Sequence, residues 1–251
     1  MISKNKIKYI RSLELKKNRN KEGKFVAEGF KVVDDLLALQ PADLIVATQE
    51  WLHGKHLADQ TEVIEVTEEE LKKVSFLQHP QQVLAVFDQR DNRDFASANI
   101  DFNCLNLALD GVQDPGNLGT IWRTADAAGF QALLLGAGGA DPLSPKVQRA
   151  AMGSGFRVPF CHAPELAESL IALRQRGYRV FASDLSGADF YARPDAGEKF
   201  VLVIGNEARG ISDAVREAAD CRVKLPMRGG AESLNAAVAA GIMMYELMRG
   251  R

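Results

Sequence analysis

Four short apolar runs in the second half of the chain constrain its fold more than any other feature. Cys104 to Asp110 (CLNLALD), Phe130 to Leu135 (FQALLL), Tyr178 to Ser183 (YRVFAS) and Phe200 to Gly205 (FVLVIG) lack the apolar and polar alternation of a half-solvated strand. Such runs are strands covered on both faces, as in a parallel sheet flanked by helices. Helices fill the gaps. Asn117 to Ala128 ends at Gly129, Ser144 to Met152 has Ser144 as cap and Pro145 at the first helical position, and Ser233 to Met248 opens on Ser233 as cap. A short strand at Arg222 to Leu225 joins the series. The alternation predicts a doubly wound α/β domain with its ligand outside the carboxyl ends of the strands.

The first half reads as a smaller α/β unit. Residues 24 to 39 form a short strand and then a helix on which Phe30, Val33 and Leu37 recur at helical spacing. Asp43 to Thr48 and Glu62 to Val66 are strands, Thr67 with Glu70 is a capping box, and Gln82 to Asp88 closes the series. Gln89 to Asn103 is polar and reads as a linker. The expected division is residues 1–98 and 99–251.

Composition narrows the function classes. The 251 residues are 46% apolar and 25% charged, ordinary for a globular chain, and no apolar run approaches the roughly 18 residues of a membrane span. The N-terminal MISKNKIKYIRS has no apolar core behind its charges, so no secretory signal is expected and the expected compartment is the cytoplasm. Three cysteines far apart without a CxxC, and only His53 and His56 as a close pair, predict neither disulfides nor a metal site. Charge is uneven. Residues 1–24 carry nine Lys or Arg against Glu14 and Glu22, a balance of +7 that leaves −9 for the rest. Two readings of this arm stand side by side: an amphipathic helix packed through Ile7, Ile10 and Leu13, or a segment that attracts phosphates.

Three loops at strand carboxyl ends carry the chemistry. The first, Asp110 to Phe130, makes a Pro115-Gly116 turn, opens a helix near Asn117 whose N-terminus suits an anion, and places Arg123 two turns in. The second, VIGNEARGIS, brings Gly205, Asn206, Glu207 and Gly210 behind a buried strand. The third runs from Leu225 through Gly229 and Gly230 to Ser233, Leu234 and Asn235. Capping explains Ser233, but not Asn235, which falls in the first turn and is a poor helix former.

In order and spacing, NLGTIWRTADAAG (Asn117 to Gly129), GNEARGI (Gly205 to Ile211) and Leu225 to Leu247 with its Ser-Leu-Asn triplet resemble the three motifs of the SpoU or TrmH family of RNA ribose 2′-O-methyltransferases, in the SPOUT class. The resemblance covers residues 104 to 250, with Trp122 where the family usually has an aliphatic residue. KFVAEGFKVVDDLL also resembles the start of the family's substrate-binding domain, a fold similar to the small ribosomal protein L30e.

The resemblance implies a trefoil-knotted catalytic domain, a homodimer, S-adenosylmethionine as cofactor and RNA as partner. It implies Gly205, Leu225 and Leu234 as cofactor binders and Arg123 as the catalytic arginine, with Asn117, Glu207, Ser233 and Asn235 orienting the assembly. A guanidinium stays protonated in proteins, so Arg123 suits clamping a phosphate and stabilising charge on the 2′-oxygen better than accepting a proton. A domain ahead of the catalytic unit favours 23S ribosomal RNA over transfer RNA. Two rivals are a nicotinamide enzyme, whose glycine pattern GAGGAD (Gly136 to Asp141) lacks a third spaced glycine, and a non-catalytic RNA-binding module, against which the intact motif residues argue.

Overall fold

A computed structural model describes residues 2–89 and 105–251. The linker expected at Gln89 to Asn103 lies, from residue 90 onward, outside the described residues. The rest divides into two compact units: residues 2–89 with Asp141–Phe156, and 105–140 with Arg157–Arg251.

The first unit contains α1 (Lys4–Ser12), α2 (Lys16–Glu22), β1 (Lys24–Glu28), α3 (Phe30–Leu37), β2 (Leu44–Ala47), α4 (Gln49–Leu52), β3 (Glu62–Glu65), α5 (Glu68–Val74) and β4 (Val83–Asp88). Its sheet has the order β1-β4-β2-β3. The Thr67 and Glu70 capping box opens α5 as expected. In α3 the buried face is Val32, Val33 and Leu36, while Phe30 is exposed, because Gly29 caps the helix and leaves Phe30 at its first position.

The basic arm is a pair of helices built into this core. Ile10 and Leu13 are wholly buried against Val26, Leu44, Val74 and Val86. Several of its cations are already engaged. Lys6 pairs with Glu62, Lys24 with Asp43 and Asp88, and the buried Arg19 with Asp141. Arg11 donates to the Ser75 carbonyl at 2.7 Å. Lys4, Lys8, Lys16 and Lys17 are exposed without ion pairs among the described residues. The packing expected of Ile10 and Leu13 is therefore present.

The second unit runs β5 (Leu105–Asp110), α6 (Pro115–Ala127) and β6 (Ala132–Leu135). Next comes α7 (Pro145–Ala151), capped by Ser144 and belonging to the first unit. The second unit then continues with β7 (Phe160–His162), α8 (Leu166–Gln175), β8 (Arg179–Asp189), β9 (Phe200–Gly205), α9 (Asp213–Ala218), β10 (Cys221–Lys224) and α10 (Ala236–Leu247). Its six strands are all parallel in the order β10-β8-β9-β5-β6-β7. The four runs supply the expected strands, with β5 starting at Leu105, β6 at Ala132 and β8 at Arg179; their apolar residues from 106 onward are buried, and β8 continues to Asp189. The short strand β7 was not expected, since three residues are too few to show a period. Trp122 is fully buried, donates Nε1–H to the Val158 carbonyl at 2.9 Å and sits edge-on to Phe160. An indole fits here because its one polar atom has a partner.

Candidate active site

The sheet order puts β5 and β9 side by side, with Asp110 opposite Gly205 at their carboxyl ends, so the first two loops leave the sheet together. Asn206 ties them. Its Nδ2 donates to the Gly111 carbonyl at 2.8 Å, and its Oδ1 accepts from the Ala208 and Arg209 amides, both at 3.0 Å. Asn206 and Gly210 exchange two backbone bonds of 2.9 Å that fold the loop back over Gly205. A Cβ on Gly205 would fall inside the Gly210 backbone, so this turn requires glycine there.

The start of α6 corrects two expectations. The helix begins at Pro115, capped by Asp114 through the Asn117 amide at 2.8 Å, not at Asn117. The anion suited to that helix start comes from the chain itself. Glu207 accepts from the Gln113 and Asp114 amides at 3.0 and 3.1 Å and from Asn117 Nδ2 at 2.9 Å. Burial pushes the Glu207 carboxyl up, but bonds from Asn117, Gln113, its own backbone and Asp114 outweigh it, and the group lies below the usual carboxylate range.

The third loop closes the set and corrects another expectation. α10 starts at Ala236 and its cap is Asn235, whose Oδ1 accepts from Ala237 and Val238 at 2.9 and 3.3 Å. Ser233 is exposed and caps nothing. Asn235 suits the helix as a cap, where a short side chain replaces the missing backbone acceptor. Its Nδ2 also donates to Asn117 Oδ1 at 2.9 Å. Asn235, Asn117 and Glu207, one from each loop, thus form a continuous run of side-chain hydrogen bonds.

Beside this run lies a cavity of about 630 Å³, within the range typical of small-molecule sites. Gly205, Glu207, Leu225, Ser233, Leu234 and Asn235 all line it, with Ile204, Met227 and Met243 as apolar wall. Asp184 also borders it, held by Arg216 at 2.9 Å and by Ser186. An apolar wall faced by polar and charged side chains, Asp184, Glu207, Ser233 and Asn235 among them, is a lining that fits a nucleoside with an apolar flank. Arg123, six residues beyond Asn117 on the exposed side of α6, does not line the cavity and makes no hydrogen bond or ion pair among the described residues. A cation left free on the surface is available to a substrate anion. Asp114, not singled out in the sequence although Asp-Pro-Gly marks a helix start, caps α6, and Asn206, expected in the second loop without a role, ties the first two loops together. No group of three or more metal-ligating side chains occurs among the described residues, and no helix there is long and apolar enough to cross a membrane.

A parallel α/β sheet that gathers three loops around a cavity at the carboxyl ends of its strands has the layout of a ligand-binding doubly wound domain. The chain belongs to the SpoU rRNA methylase family, whose model matches residues 104–245; residues 4–85 match the MRM3-like substrate binding domain. A 23S rRNA (guanosine(2553)-2′-O)-methyltransferase of Bacillus subtilis, RlmP, is 34% identical over 96% of this chain and 95% of its own. A putative RNA methyltransferase of the TrmH family from Porphyromonas gingivalis superposes with a TM-score of 0.88 at 37% identity, over 98% of both chains. An AdoMet-bound rRNA methyltransferase from Sinorhizobium meliloti does so at 0.85 and 34%, over 99% of this chain and 96% of that one.

Proposed function

We propose that the protein transfers a methyl group from S-adenosylmethionine to a ribose 2′-hydroxyl of 23S ribosomal RNA in the cytoplasm. The observation that carries this reading is the Asn235-Asn117-Glu207 run at the lip of a cavity bounded by Gly205, Leu225 and Leu234. The ribosomal target is supported by the substrate of RlmP, a relative that matches across nearly the whole chain. Residues 1–98 present the RNA and 99–251 perform the transfer.

When bound, S-adenosylmethionine supplies an electrophilic methyl group on a sulfonium. Gly205, Leu225 and Leu234 hold it through backbone and apolar contact. Arg123 clamps the phosphate beside the reacting ribose and stabilises negative charge growing on the 2′-oxygen, the arrangement that lowers such barriers most. Ser233, with its free hydroxyl, and Asn235 and Asn117 fix the ribose for in-line approach. Glu207 orients Asn117. Its depressed proton affinity makes it a poor base near neutral pH. The C-terminal segment threads a trefoil knot, consistent with β10 at one sheet edge while α10 packs back on α6. The chain works as a homodimer through α10, where Val238, Ile242 and Tyr245 lie exposed at helical spacing opposite the buried Met243, Met244 and Leu247.

The test is methyl transfer from labelled cofactor to ribosomal and transfer RNA, with 2′-O-methyl mapping in cells with and without the gene. The reading expects one ribosomal nucleotide to lose its mark. A mark lost only from transfer RNA overturns the target, and no transfer to any RNA overturns the activity. Light scattering giving about twice 27.4 kDa supports the dimer, and monomer mass refutes it.

A further inference from the structure

Asp110 does not line the cavity, yet it meets the second loop where that loop ends. It is the last residue of β5 and lies opposite Gly205, the last of β9. Its Oδ2 accepts from the Ser212 amide at 2.6 Å. One residue on, the Gly111 carbonyl accepts from Asn206 Nδ2 at 2.8 Å. Consecutive residues of the first loop therefore hold the second at both of its ends, Asn206 and Ser212.

Between those ends the loop is shaped by bonds within itself. Asn206 and Gly210 exchange two backbone bonds, and Gly205 leaves no space for a Cβ against the Gly210 backbone. These contacts set the form of the loop but not its place against the first loop. Place is what Glu207 depends on. The Gln113 and Asp114 amides and Asn117 Nδ2, which donate to it, all belong to the chain that continues from Gly111. A displacement of about 1 Å within such a constellation can cost on the order of 100-fold in rate.

The start of α9 could have been served locally. Ser212 Oγ caps it by accepting from the Val215 amide at 3.4 Å, and in a capping box a glutamate at the third helical position would take the Ser212 amide as well. That position is Val215, which has no side-chain acceptor to offer. The acceptor comes instead from β5, 102 residues away in sequence, so the bond that completes the cap also joins the two loops. We infer that Asp110 is a positioning residue for methyl transfer: it fixes the far end of the second loop so that Glu207 reaches the start of α6 and holds Asn117 in its bond with Asn235. The inference rests on the reading of this cavity as a methyltransferase site and adds to it a residue outside the cavity lining.

Two variants of the full chain separate the bond made by this carboxylate from its charge. Asp110→Ala removes both, whereas Asp110→Asn keeps an oxygen for the Ser212 amide. Turnover should fall by roughly 10- to 100-fold in Asp110→Ala and recover in Asp110→Asn. In a Glu207→Ala chain, Asp110→Ala should cost nothing further, because the group it places is already gone. The same point is read without methyl transfer by an NMR titration of the Glu207 carboxyl. Loss of a nearby negative charge would by itself lower its proton affinity. Loss of its amide partners would raise it toward the ordinary 4.5. It should rise in Asp110→Ala and not in Asp110→Asn. A Glu207 titration that stays put or falls in Asp110→Ala overturns the inference, as does a turnover loss that Asp110→Asn leaves unrescued or that multiplies in full with the loss from Glu207→Ala. Because the titration needs no substrate, failure of the activity and failure of this role are separate results.

Discussion

Asn235 and Asn117 meet side chain to side chain, Nδ2 of the first donating to Oδ1 of the second at 2.9 Å, although 118 residues separate them. The bond fixes which way round the Asn117 amide stands. With Oδ1 occupied by Asn235, its Nδ2 is directed to Glu207. One asparagine therefore caps α10 and sets the orientation of the other two members of the run.

Asn235→Ala is expected to act on both. Loss of the cap costs about 0.5–2 kcal/mol, and melting should fall by roughly 2–4 °C for each kcal/mol. Turnover should fall by on the order of 100-fold as Asn117 loses its orientation. Ser233→Ala should leave the melting temperature where it is, because Ser233 caps nothing. Calorimetric melting of the two variants, side by side, checks this; equal melting losses would show that Ser233 supports the helix after all.

For Arg123→Ala the expectation is a loss of turnover by roughly 100- to 1,000-fold, the common cost of removing one group that stabilises a developing oxyanion. Cofactor affinity, measured by titration calorimetry, should be retained, since Arg123 stands outside the cavity lining. The opposite pattern, weak cofactor binding with normal turnover at saturation, would contradict its assignment to the RNA.

The Glu207 carboxyl gives a pH dependence of known sign. Its proton affinity in the folded chain lies below the ordinary value of 4.5. The ionised group therefore adds stability that is fully present above that ordinary value, which holds in the unfolded chain, and that is lost as pH falls through the lower folded value. Glu207→Gln should flatten the decline in melting temperature over that acid window and leave its shape near neutrality unchanged. An identical acid decline in both proteins would remove Glu207 as the source.

The N-terminal arm separates into two kinds of cation. Arg19→Ala should lower the first unit's stability by about 1–3 kcal/mol, as a buried bonded group is removed, with the salt dependence of RNA binding unaltered. Replacing Lys4, Lys8, Lys16 and Lys17 together should do the reverse, flattening the log-log salt slope by about 0.7 for each single-strand phosphate that is no longer neutralised and sparing the melting temperature. A slope that stays constant in the fourfold variant would mean that the arm is structural throughout.

Local signals in the chain were faithful guides. Strands covered on both faces are apolar at most positions, so β5, β6, the first half of β8 and β9 could be read directly as runs. Thr67 with Glu70 and Ser144 with Pro145 announced their helices because a cap and its partner lie within four residues of each other. The resemblance of the three loops pointed to one site, and six of the eight residues it named line the same cavity.

Much of what only the tertiary structure decided comes from interactions between residues tens to more than a hundred positions apart, whose pairing depends on strand order. Periodicity reports which face of a segment is buried, but not which neighbour covers it. Thus sequence spacing favoured Ser233 as the cap of α10, whereas Asn235 takes the role and also donates to Asn117 on α6, the helix against which α10 packs. The helix start that looked open to an outside anion is filled by Glu207, brought there because β9 lies next to β5. Nine cations at the N-terminus look alike in a row of letters, yet folding buries Arg19 against Asp141, pairs Lys6 and Lys24 with carboxylates far along the chain, and leaves four lysines free. Apolar pattern and capping belong to the local chain, while the partner of each polar group belongs to the fold.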